Sequence, residues 1–309
     1  MHGPLAATLE TNTTKIGIMN KLEKLKAILT GKLKPMDVIG NSVDIYAKEI
    51  LRYTPQLYTK PSNATENIEP EAEASGVLIE VKNQKFLITA GHFLASKDPL
   101  DIGIMIENTF YILNGMVKYV NPDESEVADK IDIAVWKLDE NVASELSKKY
   151  SFLPYSEIEY NHTVSSKPQY LIVGFPWRNT TKEYAQKKLI VDPFVFLTKA
   201  SDKRFYKSLK FEEHSNILLD YRQKKVKNFK TGMVQANKSP EGVSGCGVWF
   251  LPTLLINGTP KPKLVGQIIE QDKSKTILIS TRIHLAMEIL RTKFEIDIPA
   301  SNLTRLKNE

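Results

Sequence analysis

Apolar residues recur at helical spacing near the start of the chain, in short runs separated by turns through most of it, and at helical spacing again near its end. Met19, Leu22, Leu25 and Leu29 fall on one helical face, with Lys21, Lys24 and Lys26 opposite or flanking, and Gly31 ends the run. Val43, Tyr46, Ala47, Ile50 and Leu51 form a second amphipathic stripe, which Asn41 or Ser42 is expected to cap and Pro55 to stop. The segment TPQLYTKPSNATENIEPEAEA, residues 54–74, is rich in Pro, Thr, Asn and Glu and reads as a linker or surface strap. From Ser75 onward the texture is β: GVLIEV, KFLITA, IGIMI, TFYIL, MVKYV and DIAVWKL precede residue 140, and YLIVGF, FVFLT, NILLDY, GVWFL, KLVGQIIE and TILIST follow. Short strands without long intervening helices predict an all-β sandwich or barrel rather than a parallel α/β sheet. RIHLAMEILRTKF, residues 282–294, then predicts a closing helix.

Composition narrows the picture. A chain of 309 residues at 42% hydrophobic can bury a large core in one large domain or two modest ones. The single cysteine, Cys246, permits no intramolecular disulfide, which favours a reducing compartment. No apolar run has transmembrane length and no signal peptide is evident, so a cytoplasmic protein without a stable membrane anchor is expected. The net charge of +6 is dispersed among 36 acidic residues. Its densest run, RQKKVKNFK (residues 222–230), alternates as a solvated strand face does, so no nucleic-acid partner is expected. No metal spacing and no phosphate-cradling glycine loop is present, and neither metal nor cofactor is predicted.

Three short stretches carry chemistry in combination. Of five histidines, His92 alone ends a buried-looking strand, in FLITAGHFLA, where Ala90 and Gly91 leave room for another segment. Imidazole suits a general base because its ordinary pKa lies near neutrality. Asp132 stands directly ahead of the apolar run IAVW, as a buried carboxylate would, whereas Asp139 and Glu140 lie at the polar end of that strand. Ser244 sits in PEGVSGCGVW, where Gly242 can take backbone angles closed to other residues and turn its N–H inward beside that of Ser244. A hydroxyl, a base, an orienting carboxylate and two amides are the parts that acyl transfer through serine needs.

LITAGH, DIAVWKL and GVSGCGVW resemble the three signature segments of trypsin-like (chymotrypsin-fold) serine peptidases, here of an intracellular, bacterial type. KLVGQIIEQ resembles the substrate-binding strand that follows the nucleophile, and ISTRIHLAMEIL the last strand and terminal helix. The resemblance spans Ser75 to Phe294 and implies two six-stranded antiparallel β-barrels with a cleft between them. It maps His92 to the general base, Asp132 to its orienting partner, Ser244 to the nucleophile, and the amides of Gly242 and Ser244 to the oxyanion hole. The implied layout is a helical N-terminal extension (1–55), a linker (56–74), a first barrel with His92 and Asp132 (75–150), a second barrel with Ser244 and the closing helix (151–296), and a tail (297–309).

Departures from the family pattern are informative. Val243 replaces the aspartate that in secreted trypsins pairs with a newly cut N-terminus, so activation by that ion pair is not expected. Phe93 replaces the cysteine after the base, and Cys246 is expected to be a small buried apolar residue rather than a reactive thiol. Counting from Ser244 places Lys238 near the bottom of the primary pocket and Ile269, Glu270 and Gln271 along its wall, with Leu278 or Ile279 opposite. Lys238 inward favours acidic substrates and Glu270 inward basic ones, whereas both facing water, the expected arrangement, leaves the bond cleaved unassigned. The expected function is a serine endopeptidase acting on partner proteins, recruited or restrained through residues 1–60 in a processing or defence module. The alternative is a catalytically silent protein-binding scaffold on the same fold.

Overall fold

The computed structural model describes residues 19, 21–32, 35–61, 69–95, 97–107, 109–120, 131–167, 169–177, 180–183, 188–191, 193–222, 226–227, 234–235, 240–252 and 261–303. Among the described residues two helices come first, α1 (Lys21–Leu29) and α2 (Pro35–Leu51). The first half then contributes β1 (Gln56–Thr59), β2 (Glu71–Ser75), β3 (Val77–Val81) and β4 (Gln84–Thr89). The short helix α3 (Gly91–Ala95) separates these from β5 (Ile102–Ile106), β6 (Thr109–Ile112), β7 (Gly115–Val120) and β8 (Ile133–Leu138). Helix α4 (Glu140–Ser147) and β9 (Leu153–Pro154) lead into the second half. There follow β10 (Tyr170–Gly174), β11 (Thr180–Glu183), β12 (Lys188–Val191), β13 (Phe194–Thr198), helix α5 (Arg204–Leu209) and β14 (Asn216–Asp220). The chain continues through β15 (Val226–Lys227), β16 (Val234–Gln235), β17 (Gly247–Phe250), β18 (Lys263–Asp272) and β19 (Ile277–Arg282), and helix α6 (His284–Lys293) closes it.

The strands pair antiparallel except β9, which runs parallel to β3. In the second half the order is β13-β10-β17-β18-β19-β14. The two outer strands of this sheet meet beyond Thr198: Ser201 N–H donates to Leu218 O at 2.8 Å and Asp220 N–H to Lys199 O at 3.1 Å. The first half departs from a single six-stranded barrel, with one sheet ordered β2-β1-β5-β6 and another β7-β8-β4-β3-β9. Both described ends of the segment read as a linker are strand: Leu57 and Tyr58 are buried, and β1 pairs with both β2 and β5.

The N-terminal stripe lies where its spacing puts it. Val43, Tyr46, Ala47 and Ile50 pack into the largest core cluster with Ile79, Phe86, Ile88, Trp249, Met287 and Leu290, so α2 joins both halves and α6 in one interior. Its start differs from expectation. Pro35 opens the helix, a position where the missing N–H costs nothing. Asn41 and Ser42 lie inside it, and Ser42 Oγ donates back to Val38 O at 3.0 Å. In α1, Leu29 of the expected apolar face is exposed while Lys24 and Ala27 are buried, and the side chains of Leu22 and Leu25 lie outside those described. The segment read as a tail docks as far as it is described, with Ile298 buried and Ser301 Oγ donating to Asn161 Oδ1 at 2.8 Å.

Candidate active site

The β4 strand is buried at Phe86, Leu87, Ile88 and Thr89, and it delivers Ala90, Gly91 and His92 to the start of α3. Strand β8 pairs with β4 through Thr89–Ala134, so Asp132, just before β8, arrives beside the same strand end. The carboxylate holds the histidine twice. Asp132 Oδ1 accepts the His92 backbone N–H at 2.8 Å, and Oδ2 lies 2.5 Å from Nδ1. The Asp132 side chain is 5% exposed and that of His92 45%, so a buried charge orients a ring open to solvent. The space left by Gly91 is occupied: a Cβ there would meet Val120 O and stand 3.1 Å from Asp132 Oδ1.

The serine turn comes from the other half. Val243 N–H donates to Pro240 O at 3.0 Å and Cys246 N–H to Val243 O at 2.9 Å, which makes two successive tight turns with Ser244 the second residue of the latter. Gly242 and Gly245 both have positive φ, +93° and +84°. A side chain at Gly245 would strike Ser75 O and Thr89 Oγ1 and stand 3.0 Å from Ala90 N, so the turn is pressed against the strand end that carries His92. Among the described residues, the N–H groups of Gly242 and Ser244 donate to no protein acceptor. Two unspent amides beside a hydroxyl form an anion-ready corner. The Ser244 hydroxyl donates to Ile269 O at 3.1 Å, where an irregularity in the β18–β19 pairing leaves Ile269 unpaired.

Groups that sequence reasoning missed fasten the two halves together. Ser75 N–H donates to Ser244 O at 2.9 Å, and Thr89 Oγ1 donates to Ser75 O at 2.8 Å. Gln267, on β18, donates through Nε2 to Thr89 O at 2.9 Å and Asp132 O at 3.1 Å, and Thr281 Oγ1 donates to Asp132 O at 3.0 Å. The only signal for Gln267 was a polar side chain within an apolar strand.

The remaining predicted positions divide. Val243 is buried in the second-half core with Ile268 and Val248, and Cys246 stands beside it, its thiol pushed up by complete burial. Ile269 is buried with its carbonyl at Ser244, Glu270 is exposed and Gln271 half-buried. Leu278 is fully buried with Ile172, Leu219 and Tyr221, turned to the interior by strand alternation. Ile279 joins the separate cluster of Tyr206, Phe211 and Leu218. Lys238, and most of the basic run at 222–230, lie outside the described residues.

No family model matches the chain, and no curated protein matches it in sequence. Among solved structures, that of GrC overlaps it with a TM-score of 0.48 and 14% identity, covering 79% of this chain and 94% of its own. The scabies mite inactivated protease paralogue S-D1 overlaps with a TM-score of 0.49 and 12% identity, covering 83% and 97%.

Proposed function

We propose that the chain is a serine endopeptidase of the trypsin-like kind, working by acyl transfer through Ser244. The observation that carries this reading is the two-point hold of Asp132 on His92, beside a serine turn that presents two unspent amides. Asp132 accepts the Nδ1 proton of His92, which leaves Nε2 as the base for the Ser244 hydroxyl. As Ser244 Oγ attacks a peptide carbonyl, His92 takes the proton, Asp132 stabilises the imidazolium, and the Gly242 and Ser244 amides receive the developing oxyanion. His92 then protonates the leaving amine, and water repeats the sequence on the acyl-enzyme. The buried Val243 supports a turn that is set by packing rather than by an ion pair to a cut N-terminus.

The substrate is a protein, and the setting is a reducing compartment such as the cytoplasm, in keeping with a lone cysteine that is fully buried. Recruitment or restraint by a partner falls to the N-terminal region ahead of α2, since α2 and β1 are built into the core. A fluorophosphonate probe tests the reading. Covalent labelling of the wild type and none of Ser244→Ala supports the peptidase; a folded wild type that never labels leaves the silent binding scaffold.

A further inference from the structure

A cleft of about 480 Å³ lies where the end of α2 meets β1, the end of β5, the turn after α4, and Phe175 and Pro193 of the second half. Its size is that of a small-molecule site. Three cations border it, Lys48, Arg52 and Lys149, against one carboxylate, Glu107. Arg52 is already committed, to Glu49 at 3.2 Å and Ser151 Oγ at 3.1 Å. Lys48 has no carboxylate partner among the described residues. Lys149 is exposed along its length, and its ammonium, with three donors, gives one to Met105 O at 3.0 Å and lies 5.1 Å from the centre of the Tyr150 ring. Burial pushes that ammonium below its ordinary value, so an arriving anion would find a charge short of partners. Apart from Gln56, the rest of the wall is apolar or aromatic, with Leu51, Phe175 and the rings of Tyr58 and Tyr150 among it.

This cleft is wired to the serine turn. Phe175, part of its wall, donates its N–H to Ser75 Oγ at 2.9 Å. Gln56, also in the wall, is the register partner of Ser75 across the β1–β2 pair. Ser75 in turn donates its N–H to Ser244 O at 2.9 Å. Two wall residues therefore flank the one residue whose amide holds the carbonyl of Ser244.

We propose that this cleft binds a small molecule with a flat apolar body and one anionic group, held by Lys48 and Lys149, and that occupancy alters the reactivity of Ser244 through Phe175 and Ser75. The regulatory half rests on the peptidase reading; the binding half stands without it.

The test titrates the full-length chain with 8-anilinonaphthalene-1-sulfonate, an anionic aromatic fluorophore, and with its neutral relative N-phenyl-1-naphthylamine. The wild type is expected to bind the sulfonate saturably at one equivalent and to melt higher in its presence, since a ligand of the folded state stabilises it. The double variant Lys48→Gln/Lys149→Gln should melt normally without ligand and bind the sulfonate about tenfold more weakly or worse, roughly the loss of one charge-assisted contact. Lys207→Gln on α5 should bind as wild type, and the neutral probe should not distinguish the variants. Absence of saturable binding, or equal binding by the double variant, overturns the site. The rate of fluorophosphonate labelling at Ser244 is then read with and without saturating sulfonate, and is expected to change at least threefold in the wild type alone. Labelling indifferent to the sulfonate overturns the coupling, whereas a chain that binds the sulfonate but never labels overturns the peptidase and keeps the site.

Discussion

Gln267 donates its side-chain amide across to the carbonyl of Asp132, 3.1 Å away, and with the same nitrogen to Thr89 O at 2.9 Å. One residue of the second half therefore ties together the two strand ends that carry the His92–Asp132 pair. Both carbonyls are buried, and Asp132 O retains the hydroxyl of Thr281. Gln267→Met keeps the volume but removes the donor, leaving Thr89 O without this partner. Loss of a hydrogen bond of this kind costs about 0.5–1.5 kcal/mol, and urea unfolding should show a loss in that range. Labelling of Ser244 should slow as well, because the strand ends lose their common tie. A variant as stable and reactive as wild type would mean the amide is incidental.

Asp132→Asn separates orientation from charge. Asn keeps one acceptor oxygen, which the His92 backbone N–H already claims from Oδ1. Its amide nitrogen then faces Nδ1 and donates to it, so the imidazole proton moves to Nε2, the nitrogen that must accept from serine. The fold should survive, since a neutral isostere replaces the carboxylate. Turnover should fall by about four orders of magnitude, the loss expected when the imidazole is held in the wrong tautomer. Full activity in this variant would name a different carboxylate as the orienting partner.

Gly245→Ala tests how tightly the two halves meet. The backbone there has φ +84°, where a Cβ is strained, and the added methyl would collide with Ser75 O and Thr89 Oγ1. Strain of about 1–2 kcal/mol comes from the backbone alone, and displacement of Ser75 adds to it. Thermal melting should fall by several degrees, and labelling at Ser244 should be lost before the fold is. An unchanged melting temperature would contradict the packing of the serine turn on β4.

Several of these relationships were legible in the sequence and several were not, for physical reasons. The strand-end positions of His92 and Asp132 could be read because small residues precede one and an apolar run follows the other. The buried face of α2 could be read because its period is helical over many residues. Gln56–Thr59 was hidden because a strand only four residues long, flanked by Pro55 and Lys60, carries little pattern, and its burial comes from partners elsewhere in the chain. Leu278 and Ile279 could not be told apart because both stand in the unbroken apolar run ILI, whose two faces enter different core clusters. Ser75 and Gln267 act through bonds spanning more than a hundred residues, and no local spacing announces them.

Acid sensitivity should trace to His284. Its side chain is buried at the start of α6 with Nδ1 lacking a hydrogen-bond partner among the described residues. Burial, reinforced by the charge of Arg282 and by His214, lowers its pKa to about 4, and Glu288 opposes the shift only weakly. A base with a depressed folded-state pKa favours the fold in its neutral form. Its contribution is therefore complete above the unfolded value of about 6.5 and is lost as pH falls from there toward 4. A shift of this size corresponds to a loss on the order of 3 kcal/mol across that window. His284→Phe removes the titration while filling the site, so urea midpoints should decline less steeply between pH 6.5 and 4 than in the wild type. Parallel acid profiles for the two proteins would place the acid sensitivity elsewhere, with His162 the next group to test, since burial lowers its pKa as well.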